Sequence, residues 1–190
     1  MSAVVSASQL ISPEDYLAGE LLSEERHEYI AGVIRSMPCS NAVHCHIGGN
    51  IRGLLHGHLR GGTCSVFGIN LKLRLEFPEG TVFYYPDAMV CCDPTDDAEY
   101  YRQRPVLIVE ILSPQTARVD QREKFLAYQT IPSLEVYVMV DQDACRLIIH
   151  RRDNDWQAEF LTEPDGILTV PGLGWSVPLK DIYERTGLAG

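Results

Sequence analysis

Pro105-Val106-Leu107-Ile108-Val109-Glu110-Ile111-Leu112 is the stretch on which the fold turns. A near-continuous run of β-branched and aliphatic residues is what a strand shows when both of its faces are buried, and proline fits its first position because the missing N–H is not needed there. This is therefore the expected central strand. Downstream, Asp120 with Glu123 three residues later reads as a capping box for a helix that Pro132 stops near Ile131, and Val136 to Val140 returns as a second apolar strand. Strand, helix, strand implies a parallel crossover. Working upstream, Thr81 to Cys92 and Val66 to Leu75 read as strands about the turn Pro78-Glu79-Gly80. Ala42 to Arg60 carries Ile47, Ile51, Leu54, Leu55 and Leu59 at helical spacing and closes on Gly61-Gly62. Glu28 to Met37 reads as two short strands about Ala31-Gly32, and Ser12-Pro13-Glu14-Asp15 as a helix start. Toward the C-terminus, Cys145 to Arg151 and Trp156 to Thr162 read as hairpin strands and Pro178 to Arg185 as a short helix. The class is mixed α/β.

The 190 residues, 45% of them apolar and 22% charged, suit one domain over residues 12–190 behind a flexible N-terminal arm, residues 1–11. Sixteen Lys and Arg against twenty-six Asp and Glu leave 16 − 26 = −10, which excludes a surface that grips nucleic acid by bulk charge. Met1 to Gln9 has neither a basic nor a long apolar segment, and no stretch elsewhere has the roughly 18 apolar residues of a membrane span. The six cysteines form no C-x-x-C pair, so they are expected to be reduced packing residues of a cytoplasmic protein.

Glu110 is the anomaly in the central strand. A carboxylate among buried aliphatics is costly unless it is paired or holds a cation. Asp87, after Pro86, falls by strand alternation with Met89 and Cys91 and raises the same question. Either acid alone suits a buried salt bridge or a strand-end cap; two acids on neighbouring strands point to a divalent cation. Lys124 is the third member, since a cation in the first turn of a helix opposes the helix dipole. Its alternative is an i, i+4 pair with Asp120.

Pro86-Asp87, Glu110-Ile111-Leu112-Ser113-Pro114, Asp120, Lys124, Phe125, Tyr128 and Ile131-Pro132-Ser133-Leu134 together resemble the restriction endonuclease family called Uma-two, of the PD-(D/E)xK nuclease superfamily. The resemblance runs from about Ser12 to Tyr183 and takes in Glu28-Tyr29-Ile30-Ala31-Gly32 and His44. It implies a restriction-endonuclease-like core, a mixed sheet flanked by helices with extra C-terminal hairpins, and a metal-dependent phosphodiesterase site. The superfamily's lysine two residues after the acid is Leu112 here, and Lys124 in the following helix matches the displaced lysine. The resemblance thus implies Asp87 and Glu110 as ligands of Mg²⁺, with Mn²⁺ as a substitute, and Lys124 beside the attacking water and the phosphorane.

Secondary candidates are Glu28, which shares a face with Ile30 and otherwise pairs with Arg26 or Arg35; His44, as a phosphate or outer metal contact; Tyr128, one turn after Lys124; and Arg122, on a basic rim with Arg102, Arg104 and Arg118. His44 with His46 and His56 with His58 diverge by roughly 200° on a helix, so neither pair chelates zinc. Arg52, His56 and Arg60 align at i, i+4, i+8 and read as a solvated stripe. The expected activity is Mg²⁺-dependent endonucleolytic cleavage of weakly bound DNA by a homo-oligomer, such as a dimer. The alternatives are a catalytically silent nuclease fold used for binding or assembly, and a phosphodiesterase acting on RNA or small nucleotides.

Overall fold

Strand β8 (Pro105–Leu112) is the central strand the sequence calls for, and every residue of it except Val106 is buried. In the computed structural model, which describes residues 10–37, 40–113 and 120–189, β8 lies between β6 (Ala88–Cys91), antiparallel, and β9 (Val136–Asp141), parallel. The parallel pair confirms the crossover. With β3 (Ser65–Gly68), β10 (Leu147–Arg151) and β11 (Ala158–Leu161) these form a six-stranded sheet ordered β11-β10-β9-β8-β6-β3. A second sheet, ordered β2-β1-β5-β4-β7, comprises β1 (His27–Ile30), β2 (Val33–Ser36), β4 (Lys72–Phe77), β5 (Gly80–Tyr84) and β7 (Tyr101–Arg102).

The two faces of β8 build two cores, as its period of two requires. Val109 and Ile111 face helix α2 (Ala42–Leu59), which presents Ile47, Ile51 and Leu55. That side is completed by the hairpin β12 (Ile167–Val170) and β13 (Trp175–Pro178) and by α4 (Leu179–Ile182). Ile108 and Leu112 face the other way, against Leu73, Leu75, Val82 and Tyr84 of the second sheet. The outer face of that second sheet is covered by α1 (Pro13–Glu20), through Tyr16 stacked on Tyr29 and packed on Phe83.

Local rules explain the ends. Ser12 caps α1 by accepting from the Asp15 N–H, and Asn41 caps α2 through His44 N–H. The β1–β2 turn has Ala31 at φ 46° and Gly32 at φ 94°, and a Cβ on Gly32 would meet Leu10 at 2.9 Å, so only glycine fits there. Residues 1–9 of the expected arm lie outside the described residues. Ile11 is tied down, its N–H to the Gly32 carbonyl and its carbonyl to the Tyr29 hydroxyl.

Several expectations are corrected. The single strands read from Val66 to Leu75 and from Thr81 to Cys92 are each broken in two, and the halves join different sheets. The second break falls at Tyr85-Pro86-Asp87, where proline has no N–H to give a ladder. The capping-box helix is a π-turn (Asp120–Lys124) running into α3 (Phe125–Gln129). Asp96, in the acidic stretch Asp93 to Glu99 that reads from sequence as an exposed loop, is buried and accepts from the Gln103 and Arg104 N–H groups.

The cysteine expectation also changes. Cys64 and Cys92 form a disulfide across 28 residues, which removes the cysteine-based ground for a cytoplasmic location. A closed loop of that length is worth about 3 kcal/mol through the entropy it takes from the unfolded chain. Non-reducing peptide mapping is expected to recover the Cys64–Cys92 pair, and reduction to lower the melting temperature by roughly 10 °C. Recovery of both cysteines as free thiols from protein purified without reductant would refute the pairing. Among the described residues, no helix is long and apolar enough to cross a membrane.

Candidate active site

Glu110 points from β8 toward the second sheet, in the row of Ile108 and Leu112, and is 3% exposed. Its Oε1 accepts from Lys124 Nζ at 3.1 Å and from the Tyr128 hydroxyl at 2.7 Å. Lys124 is itself buried, and its ammonium also lies 2.9 Å from Glu28 Oε1 and 5.3 Å from the centroid of the Tyr84 ring. β1 pairs with β5 through Tyr29 opposite Phe83, so the residue before, Glu28, falls beside Tyr84 and under the lysine. The π-turn and α3 carry Lys124 and Tyr128 one above the other on the face turned to the sheets; such turns concentrate at functional sites.

Asp87 sits at the break between β5 and β6. Its Oδ2 accepts the Ile111 N–H at 2.7 Å, replacing a ladder bond, and its Oδ1 lies 2.9 Å from His44 Nε2 on the first turn of α2. Arg52, two turns further along α2, donates to the Asp87 carbonyl at 3.0 Å. Arg52 is thus a structural clamp on the Asp87 backbone, not part of a solvated stripe. Through Ile111, one residue after Glu110, the Asp87 carboxylate is locked to the strand that carries the second acid.

Of the candidates, Glu110, Lys124 and Glu28 make one contact group and Asp87 with His44 another, linked through Ile111, the residue after Glu110 on β8. Glu28 pairs with Lys124 and not with its cross-strand neighbour Arg35, whose guanidinium goes to Glu123 at 3.6 Å. Tyr128 is fully buried and donates its hydroxyl to Glu110. Arg122 is exposed. The Asp120 side chain and Arg118 lie outside the described residues. Tyr84 and Arg52 are the site residues that sequence reasoning missed. Tyr84 had one signal, an aromatic in the strand that leads to Pro86-Asp87.

Charge and donor type decide what the site can hold. Three carboxylates, Asp87, Glu110 and Glu28, stand near the Lys124 ammonium and the Arg52 guanidinium at the Asp87 carbonyl, an acidic excess of the kind a divalent cation offsets. Lys124 between two carboxylates is itself a cation held by this donor set. The donor atoms present are carboxylate oxygens, a type that suits Mg²⁺ or Mn²⁺. No group of three His, Cys, Asp or Glu converges at metal-holding spacing among the described residues. A Mg²⁺ site needs only one or two carboxylates, with waters and substrate oxygens filling the rest, so the residues fit.

The acids also hold nearby phenols neutral. Burial, then the charge of Glu28, pushes the Tyr84 hydroxyl up to about 12, and burial with Glu110 holds Tyr128 well above the ordinary tyrosine value of 10.0. Both pKa values are higher in the folded than in the unfolded state, so their stabilisation is complete below pH 10 and is lost as the pH rises past it. Urea midpoints measured from pH 9 to 12 are expected to fall, and to fall less steeply in Tyr84→Phe. An unchanged slope in that variant would contradict the assignment.

Comparison with known proteins shows the family and the fold. Residues 13–180 match the family Uma2, described as "Putative restriction endonuclease". Two Synechocystis proteins are similar along most of their length. Uncharacterized protein slr1290 is 33% identical over 94% of this chain and 93% of its own, and uncharacterized protein sll1609 is 30% identical over 81% and 88%. A crystal structure from Anabaena variabilis, described as a "putative nuclease belonging to DUF820", superposes with a TM-score of 0.72 over 93% of this chain and 99% of that one, at 20% identity. The fold is shared, and the site lies inside the matched region. The chain belongs to the Uma2 family.

Proposed function

We propose that this protein is a Mg²⁺-dependent endonuclease of PD-(D/E)xK type that hydrolyses DNA phosphodiester bonds. The observation that carries the reading is the buried Lys124 held between Glu110 and Glu28, with Asp87 tied to the residue that follows Glu110 on the same strand. Asp87 and Glu110 are the residues that would hold the ion, which when bound supplies Lewis acidity to the phosphate and acidifies a water. Lys124 places a positive charge where the phosphorane gathers negative charge. Tyr128 fixes the orientation of Glu110, and His44 with the Ile111 N–H fixes that of Asp87. Glu28 returns charge to Lys124 and keeps it extended.

The net charge of −10 predicts weak, salt-sensitive DNA binding, because few phosphates can be neutralised. The test is purified protein on plasmid DNA, single-stranded DNA and RNA with Mg²⁺ or Mn²⁺, at one fixed low salt concentration. Cleavage of DNA by the wild type, at least about a hundredfold above Asp87→Ala, is the expected result. Cleavage that survives Asp87→Ala would sink the site. No cleavage of any substrate, with no Asp87-dependent Mn²⁺ binding, would favour the silent-scaffold reading. RNA cut in preference to DNA would correct the substrate.

A further inference from the structure

The chain has three lysines, Lys72, Lys124 and Lys180. Lys124 belongs to the site above, and Lys180 is an exposed partner of Asp165 at 2.7 Å. Lys72 is different. It opens β4 and is 5% exposed, yet its ammonium makes no hydrogen bond or ion pair among the described residues; it lies over the Tyr85 ring, 5.2 Å from Nζ to the centroid, and within the field of the Glu20 carboxylate. Strand alternation sends Leu73 and Leu75 into the core between the sheets, so Lys72 points outward with Arg74, toward the α1 side. It is thus on the face of the second sheet opposite Lys124.

A pocket of about 310 Å³ opens there, lined by Glu20 and Leu21 at the end of α1, by Arg26, and by Asn70, Lys72 and Tyr85. That volume is at the lower end of small-ligand sites. Glu20 does not neutralise the lysine by contact. Its Oε1 accepts from the His27 N–H at 2.8 Å and from the Tyr85 hydroxyl at 2.9 Å, and its Oε2 lies 3.1 Å from His27 Nδ1. Arg26 is tied by one nitrogen to the Ile69 carbonyl and to Asn70 Oδ1, both at 2.9 Å, which holds its guanidinium over the same pocket. A buried ammonium with three unused donors costs free energy until an acceptor reaches it.

We propose that this pocket is a second, separate binding site, for a small ligand that brings one oxyanion head group, a carboxylate or a phosphate, to Lys72 and Arg26. The rim acids Glu25 and Glu99 set the selectivity, since a ligand with several negative charges meets repulsion at the mouth. Burial lowers the Lys72 pKa against the opposing charge of Glu20, and an oxyanion beside the ammonium favours its charged form.

The test uses protein labelled with ¹³C-lysine, whose three ε-methylene signals are assigned through Lys72→Met and Lys180→Met. Acetate, inorganic phosphate and citrate are titrated at constant ionic strength. The expected result is a saturable shift of the Lys72 signal with acetate or phosphate, with a midpoint on the order of 1 mM, while Lys180 stays still. Arg26→Ala, an exposed position, weakens the midpoint several-fold. A Lys72 signal unmoved by acetate and by phosphate overturns the site. Equal or tighter binding of citrate overturns the single-head-group selectivity. Phosphate heat unchanged by calorimetry in a folded Lys72→Met protein overturns the role of the lysine. Should that variant not fold, the wild-type titration and Arg26→Ala decide alone. None of these readouts depends on nuclease activity, so this proposal and the catalytic one fail separately.

Discussion

Lys124→Met is expected to reduce DNA cleavage by at least about a hundredfold and to destabilise the fold by roughly 3–5 kcal/mol, the cost of leaving buried charge unpaired. The stability effect follows from geometry alone. Lys124 is the cation in contact with both Glu28 and Glu110, the latter 3% exposed, and methionine fills a similar volume without charge. For a chain of this size such a loss lowers the melting temperature by about 10 °C, readable by circular dichroism. Lys124→Arg keeps the charge but replaces a compact ammonium with a planar fork, so it should recover part of the stability and less of the activity. A melting temperature within about 1 °C of wild type for Lys124→Met would show that the ion cluster is not formed in solution.

Much of this arrangement was legible because it rests on short-range rules. An acid inside the apolar run 105–112 is visible from strand periodicity, and the crossover from β8 to β9 follows from two such runs separated by a helix. Lys124 stood out because its place opposes the local dipole. What stayed hidden depends on contacts between distant segments. Glu28 reaches from β1 to Lys124 on the π-turn, and nothing local prefers that partner to Arg35, which is directly opposite on β2. Arg52 lies on a helix face where the residue pattern fits solvent as well as it fits the Asp87 carbonyl. The Cys64–Cys92 pair joins residues that flank β3 and β6, strands adjacent only in the folded sheet. Pro86 carried a usable signal that strand propensity overrode: a residue with no N–H marks a break, and the break is what puts Asp87 at a strand end. Lys72 had one as well, a lone lysine between Leu71 and Leu73 in an apolar strand.

Removing the whole ion cluster is expected to restore stability without restoring chemistry. Glu28→Gln with Glu110→Leu and Lys124→Met takes away both carboxylates and the cation together, so no charge is left unpaired; buried ion groups replaced by apolar residues are often neutral or stabilising by about 1–4 kcal/mol. Leucine at 110 continues the row of Ile108 and Leu112 against the second sheet. It also takes the acceptor from the buried Tyr128 hydroxyl, which costs about 1–3 kcal/mol unless Tyr128→Phe is included. The four-fold variant should therefore melt at or above the wild-type temperature, while Lys124→Met alone melts well below it. Cleavage and Mn²⁺ binding should be absent from it, because Asp87 remains without a second acid. A four-fold variant as unstable as Lys124→Met would place the defect in packing and not in charge. One that still binds Mn²⁺ with wild-type affinity would remove Glu110 from the metal site and leave its buried carboxylate as a structural partner of Lys124.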